Sequence, residues 1–102
     1  MEQEPTLKIS EYGNKTWWLH GQWHREDGPA VEWLSGTKEW YVNGNCHRVD
    51  GPAVEWASGK ASGKAVEWWL DGCLMDFQEW KQEVRKYYDN QEDYLLMLLK
   101  LD

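Results

Sequence analysis

Positive charge is in short supply in this chain of 102 residues. Eleven Lys and Arg stand against 18 Asp and Glu, a net charge of −7. That balance excludes the clustered-cation footprint of a nucleic-acid binder and favours a basic partner. Cysteine is scarce as well: Cys46 and Cys73 are too few for a disulfide scaffold. The longest apolar run, Tyr94–Leu99, is far too short to span a bilayer. The opening residues lack the basic and apolar regions of a signal peptide. The expectation is a cytoplasmic protein with free thiols.

Catalytic and metal-binding patterns are missing too. His20, His24, Cys46, His47 and Cys73 show no paired ligand spacing of the kind zinc needs. The stretch Gly59–Lys64 imitates a phosphate loop, but its glycines are one residue too close together and Ala65 stands where Ser or Thr would hold Mg²⁺. His24-Arg25-x-Asp27 and His47-Arg48-x-Asp50 look catalytic in isolation. They occur twice, each directly before a Gly-Pro pair, which marks scaffold. No nucleophile has a base in a defined context. A non-enzymatic protein without metal or cofactor is expected.

What the chain does have is tryptophan and repetition. Nine Trp residues supply large buried area and hot-spot chemistry. Residues 13–34 and 36–57 superpose at an offset of 23, sharing His24/His47, Arg25/Arg48, Asp27/Asp50 and the run Gly-Pro-Ala-Val-Glu-Trp at 28–33 and 51–56. Self-similarity at such a period marks a repeat architecture. Lys15–Leu19, Lys38–Val42 and Val66–Leu70 read as strands, each followed by a turn pair: His20-Gly21, Asn43-Gly44 and Asp71-Gly72. Asn-Gly and Asp-Gly between apolar runs are strong hairpin signals, because a type I′ turn needs positive φ at both positions. Asp27-Gly28-Pro29 and Ser35-Gly36, with their copies, mark the other turns. The four-residue duplication ASGK at 57–64 lengthens one loop. Leu7 and Ile9 alternate with polar residues as a first, edge strand.

Past Asp71-Gly72 the repeat decays. Asp76 and Glu79 form a capping box for a helix with Phe77, Trp80, Val84, Tyr87 and Tyr88 on one stripe. Asp89–Glu92 suggests a second box, and a second helix to about Leu101. There Tyr94, Met97, Leu98 and Leu101 make one apolar face and Leu95, Leu96 and Leu99 another. The fold expected is α+β: an antiparallel meander of about three hairpin repeats over residues 1–75, capped by two helices over 76–102, in one compact domain.

Alternation within each strand sorts the side chains into two sets. Trp17, Leu19, Val31, Trp33, Trp40, Val42, Val54, Trp56, Trp68 and Leu70 form an apolar set, expected as core. Trp18, Glu32, Glu39, Tyr41, Glu55, Glu67 and Trp69 form an aromatic–acid set. It reads either as cross-strand packing on a solvated or helix-covered face, or as a surface that docks a basic protein.

The units Gly-x-Lys-Glu-Trp-Tyr-Val-Asn-Gly and His-Arg-x-Asp-Gly-Pro-Ala-Val-Glu-Trp resemble variant MORN-type β-hairpin repeats of bacterial and bacteriophage proteins, over residues 13–72. The resemblance implies a hairpin sheet used for protein–protein contact, and some bacterial members are labelled antitoxins. The chain departs from the common consensus, with its Tyr-x-Gly pairs and more numerous glycines, so a lipid-binding role does not carry over. The acidic charge also opposes membrane headgroups.

The functional expectation is an inhibitor or antitoxin of the anti-defence type. Its aromatic–acid surface would occupy a basic groove, for example on a nucleic-acid-binding host enzyme, without itself touching nucleic acid. Two alternatives stand beside it. One is a Trp-based nucleotide-sequestering protein using Arg25, Arg48, Lys60 and Lys64. The other is a structural subunit that forms a homodimer through Tyr94, Leu95, Met97, Leu98 and Leu101.

Overall fold

The computed structural model describes residues 3–57 and 66–101. The duplication at 57–64 lies almost wholly outside the described residues. The architecture is α+β: an antiparallel meander followed by two helices. β1 (Thr6–Ile9) lies along β2 (Lys15–Leu19) as the edge strand. The path then runs through β4 (Val31–Glu32), β5 (Lys38–Glu39), β8 (Val54–Glu55) and β9 (Val66–Leu70) to β10 (Cys73–Met75).

Each extended stretch divides its partners. In β2, Lys15 and Thr16 pair with β4, while Trp18 and Leu19 pair with β3 (Gln22–Trp23). The next copy is interrupted at Trp40: β5 pairs with β4 and β8, whereas β6 (Tyr41–Val42) pairs with β7 (Asn45–Cys46). β9 pairs with β8 at its start and with β10 at its end. Every repeat therefore adds two rungs to a continuous sheet and then projects a hairpin.

The three hairpin turns follow the sequence rule. His20, Asn43 and Asp71 have φ of 52°, 52° and 49°, and the glycine after each has φ near 80°, the left-handed pair a type I′ turn demands. The hairpins stack on one another. The N–H of Gly44 donates to the Trp23 carbonyl, and that of Gly72 to the Cys46 carbonyl, both at 2.9 Å.

At the far end α1 (Phe77–Val84) begins with the expected box: Asp76 accepts from the Glu79 N–H, and the Glu79 carboxylate accepts from the Asp76 N–H. A 3-10 turn over Arg85–Tyr87 follows. α2 (Gln91–Leu99) starts one residue later than the second expected box. Its N-cap is Asn90, whose side chain accepts from the Asp93 N–H. Asn90 and Asp89 are both competent caps, so composition alone does not choose between them. Both helices lie over the third repeat, where Leu70, Trp80, Val84 and Met97 make a closed core with Trp68, Met75 and Phe77 around it. Among the described residues, no helix is long and apolar enough to cross a membrane.

Candidate functional site

Strand register decides which side chains share a face, because directly paired residues of antiparallel strands point the same way. Val31 is opposite Thr16 and Glu39, and Val54 is opposite Glu39 and Glu67. Trp18 is opposite Trp23, and Tyr41 opposite Cys46. One face therefore carries Thr16, Trp18, Trp23, Val31, Glu39, Tyr41, Cys46, Val54, Glu67 and Trp69. Glu32 and Glu55 pair with Lys15, Lys38 and Val66, on the face of Trp17, Trp40 and Trp68. The parity sets are thus exchanged at the two short strands. Glu32 and Glu55 leave the aromatic–acid set, and Val31 and Val54 join it.

The loop after each hairpin is the reason. Arg25 lays its guanidinium over the Trp17 ring at 4.0 Å, and Arg48 over Trp40 at 3.9 Å. Arg48 also donates to Asp50 at 2.8 Å, to the Pro52 carbonyl at 3.0 Å and to Glu55 at 2.9 Å. Arg25 makes the same three contacts with Asp27, Pro29 and Glu32. A Cβ on Gly28 or Gly51 would come within 2.8 Å of the guanidinium carbon, which explains the glycine in the motif. His24 accepts from the Asn43 N–H, and His47 from the Asp71 N–H, each through Nδ1 at 2.9 Å. The repeated His-Arg-x-Asp-Gly-Pro is a clamp that joins successive hairpins.

Two expected core indoles are surface residues. Trp33 and Trp56 are 38 % and 41 % exposed. Each follows a strand of only two residues. Trp33 donates from Nε1 to Glu39 at 2.6 Å, and Tyr41 donates from its hydroxyl to the other oxygen of Glu39 at 2.8 Å. One repeat on, Trp56 and Trp69 donate to the two oxygens of Glu67 at 3.3 and 2.9 Å. In the first repeat Thr16 takes the carboxylate's place and accepts from Trp18 at 2.8 Å. The face is a ladder of aromatic donors closed on a central acceptor.

Its inner edge is packed. Trp23 stands edge-on to Trp18 and to Tyr41, at centroid distances of 6.0 and 5.0 Å. Cys46 is buried beside Tyr41 and Trp69. Burial first, then the charges of Glu39 and Glu67, push its thiol up to about 12. Burial likewise raises the Tyr41 phenol above its ordinary value, helped by its hydrogen bond to Glu39.

The structure brings together Trp18, Glu39, Tyr41, Glu67 and Trp69 of the expected surface, all half-buried, and adds Trp33 and Trp56. Nothing local in the sequence marks those two, because their environment is set by residues six and eleven positions on. Of the expected dimer residues, Tyr94, Met97, Leu98 and Leu101 pack into the core with α1. Leu95 is 48 % exposed, as are its neighbours Leu96 (50 %) and Leu99 (67 %). A cleft of about 600 Å³ lies between the two arginine loops, lined by Arg25, Asp27, Trp40, Arg48, Asp50 and Tyr88. Both guanidiniums in it are already stacked and ion-paired. Lys60 and Lys64 lie outside the described residues. No group of three or more His, Cys, Asp or Glu among the described residues is placed to hold a metal ion.

The fold and face together define an α+β hairpin-repeat protein with an aromatic–carboxylate surface. Set against family models, curated proteins and solved structures, the chain matches none of them.

Proposed function

We propose that this chain is a non-enzymatic protein-binding module of the inhibitor or antitoxin kind. Its aromatic–carboxylate face docks on a basic surface of a target protein. The observation that carries the reading is the repeated unit: Glu39 held between Trp33 and Tyr41, and Glu67 held between Trp56 and Trp69. Glu39 and Glu67 both pair with Val54, which places them two strand spacings apart, about 9–10 Å. Each carboxylate is oriented in advance by two donors and bordered by a partly exposed indole. Such a unit accepts a Lys or Arg head on the carboxylate while the indole covers its aliphatic stem. The net charge of −7 steers the encounter with a basic partner. The resemblance of residues 13–72 to variant MORN-type repeats points to the same use of a hairpin sheet, and by analogy to a chain that blocks a host enzyme.

Affinity capture with the full chain as bait tests this. Trp33→Ala with Trp56→Ala should abolish capture while the variant stays folded, at some loss of stability, since the two indoles are 38 % and 41 % exposed and lie outside the buried core clusters. Capture should weaken steeply with salt. A bound protein retained by the double variant would end the proposal.

A further inference from the structure

Three leucines on α2 are exposed among the described residues, and the residues bordering them indicate what covers them. Tyr94, Met97, Leu98 and Leu101 turn inward, while Leu95, Leu96 and Leu99 are exposed. Phe77 and Lys81 of α1 meet Leu95, Leu98 and Leu99 in a shallow groove. On a helix, positions 92, 96 and 100 fall on one stripe with 95 and 99 beside it. The stripe thus reads Glu92, Leu95, Leu96, Leu99, Lys100. It is acidic at the N-terminal end, apolar in the middle and basic at the C-terminal end. Both charged residues are exposed.

A surface with that order of charges is complementary to itself in reverse. If two copies of α2 cross antiparallel about Leu96, position 92 of each faces position 100 of the other, and the leucines close over one another. The helix dipoles oppose in the same arrangement. From this we infer that the chain forms a symmetric homodimer through antiparallel α2 helices. Three leucines and two charged residues make a small surface for a specific interface, so the dimer is a weak and reversible one, expected to form at concentrations on the order of 10–100 μM. The docking face lies on the opposite side of the sheet from the helices, so one dimer presents two such faces.

Sedimentation equilibrium on the full chain tests this. The native chain should pass from monomer to dimer over that concentration range. Leu96→Glu should remove the dimer entirely. Glu92→Lys and Lys100→Glu should each weaken self-association at least tenfold. Mixed together, the two single variants should form a heterodimer tighter than either homodimer, because both cross-contacts then pair opposite charges. A folding defect has no such rescue. A chain that stays monomeric up to ~1 mM, a dimer indifferent to Leu96→Glu, or charge variants that do not rescue each other on mixing would overturn the inference. Target capture is measured separately and does not depend on these outcomes.

Discussion

Trp80 occupies over Trp68 the place that an arginine occupies over the equivalent indole in each preceding repeat. Its ring lies 4.7 Å from Trp68, with Phe77 at the same distance. Its Nε1 donates to the Arg48 carbonyl at 3.2 Å. Trp17 and Trp40 are instead covered by Arg25 and Arg48. The repeat ends where a helix supplies an apolar lid in place of a charged one, which suits a terminal unit with no further repeat to stack on it.

Trp80 is fully buried, so Trp80→Ala should lose ~3–5 kcal/mol of stability. Trp80→Phe keeps much of the ring contact but strands the Arg48 carbonyl, and should cost nearer 1 kcal/mol. Urea unfolding of both variants measures the difference.

The clamp can be tested through its glycine. Gly51→Ala drives a methyl against the Arg48 guanidinium and should cost about 1–3 kcal/mol. In Arg48→Ala the obstruction is gone, so adding Gly51→Ala should cost much less there. Simple additivity in a double-mutant cycle would contradict the contact.

His24 is buried, and its Nδ1 accepts from the Asn43 N–H. His24→Ala removes that acceptor from an exposed turn, and the lost hydrogen bond should cost about 1 kcal/mol. The loss should show first as faster amide exchange at Asn43 and Gly44, before any global effect.

Alkali should destabilise the folded protein through groups whose pKa values folding raises. Burial lifts the Cys46 thiol from about 9 to about 12. The hydrogen bond to Asp71 lifts the Tyr87 phenol from about 10 to about 12. Groups raised in the folded state contribute fully below their unfolded values and lose that contribution as pH climbs through the folded ones. Stability should therefore fall above about pH 9 and continue to fall toward pH 12. Cys46→Ala should flatten the first part of that decline in urea midpoints measured against pH. In the folded protein, alkylation should reach the exposed Cys73 and spare the buried Cys46.

Much of this could be read from the chain alone. The hairpins at His20-Gly21, Asn43-Gly44 and Asp71-Gly72 are local decisions: two residues with positive φ dictate a turn whatever lies around them. The capping box at Asp76 and Glu79 is equally local. The repeat fixes how many hairpins there are, and the loss of its second motif after Gly72 marks where the helices begin. At the candidate site, Trp18, Glu39, Tyr41, Glu67 and Trp69 were legible because alternation carries through residues 15–19, 38–42 and 66–70, even where the middle stretch changes partners at Trp40.

The fate of the individual tryptophans was not. Trp33 and Trp56 follow the same alternation as Val31 and Val54, yet they sit at the rim with their indole N–H groups on Glu39 and Glu67. Glu32 and Glu55 went to the opposite face because the loops between them and the preceding hairpins wrap an arginine, which resets the phase. Alternation carries information along one strand and no further. The length, composition and turns of the chain determined the meander and its cap. Which face each short strand presents was decided by register across the sheet, where hydrogen-bonded neighbours distant in sequence choose the side each residue takes.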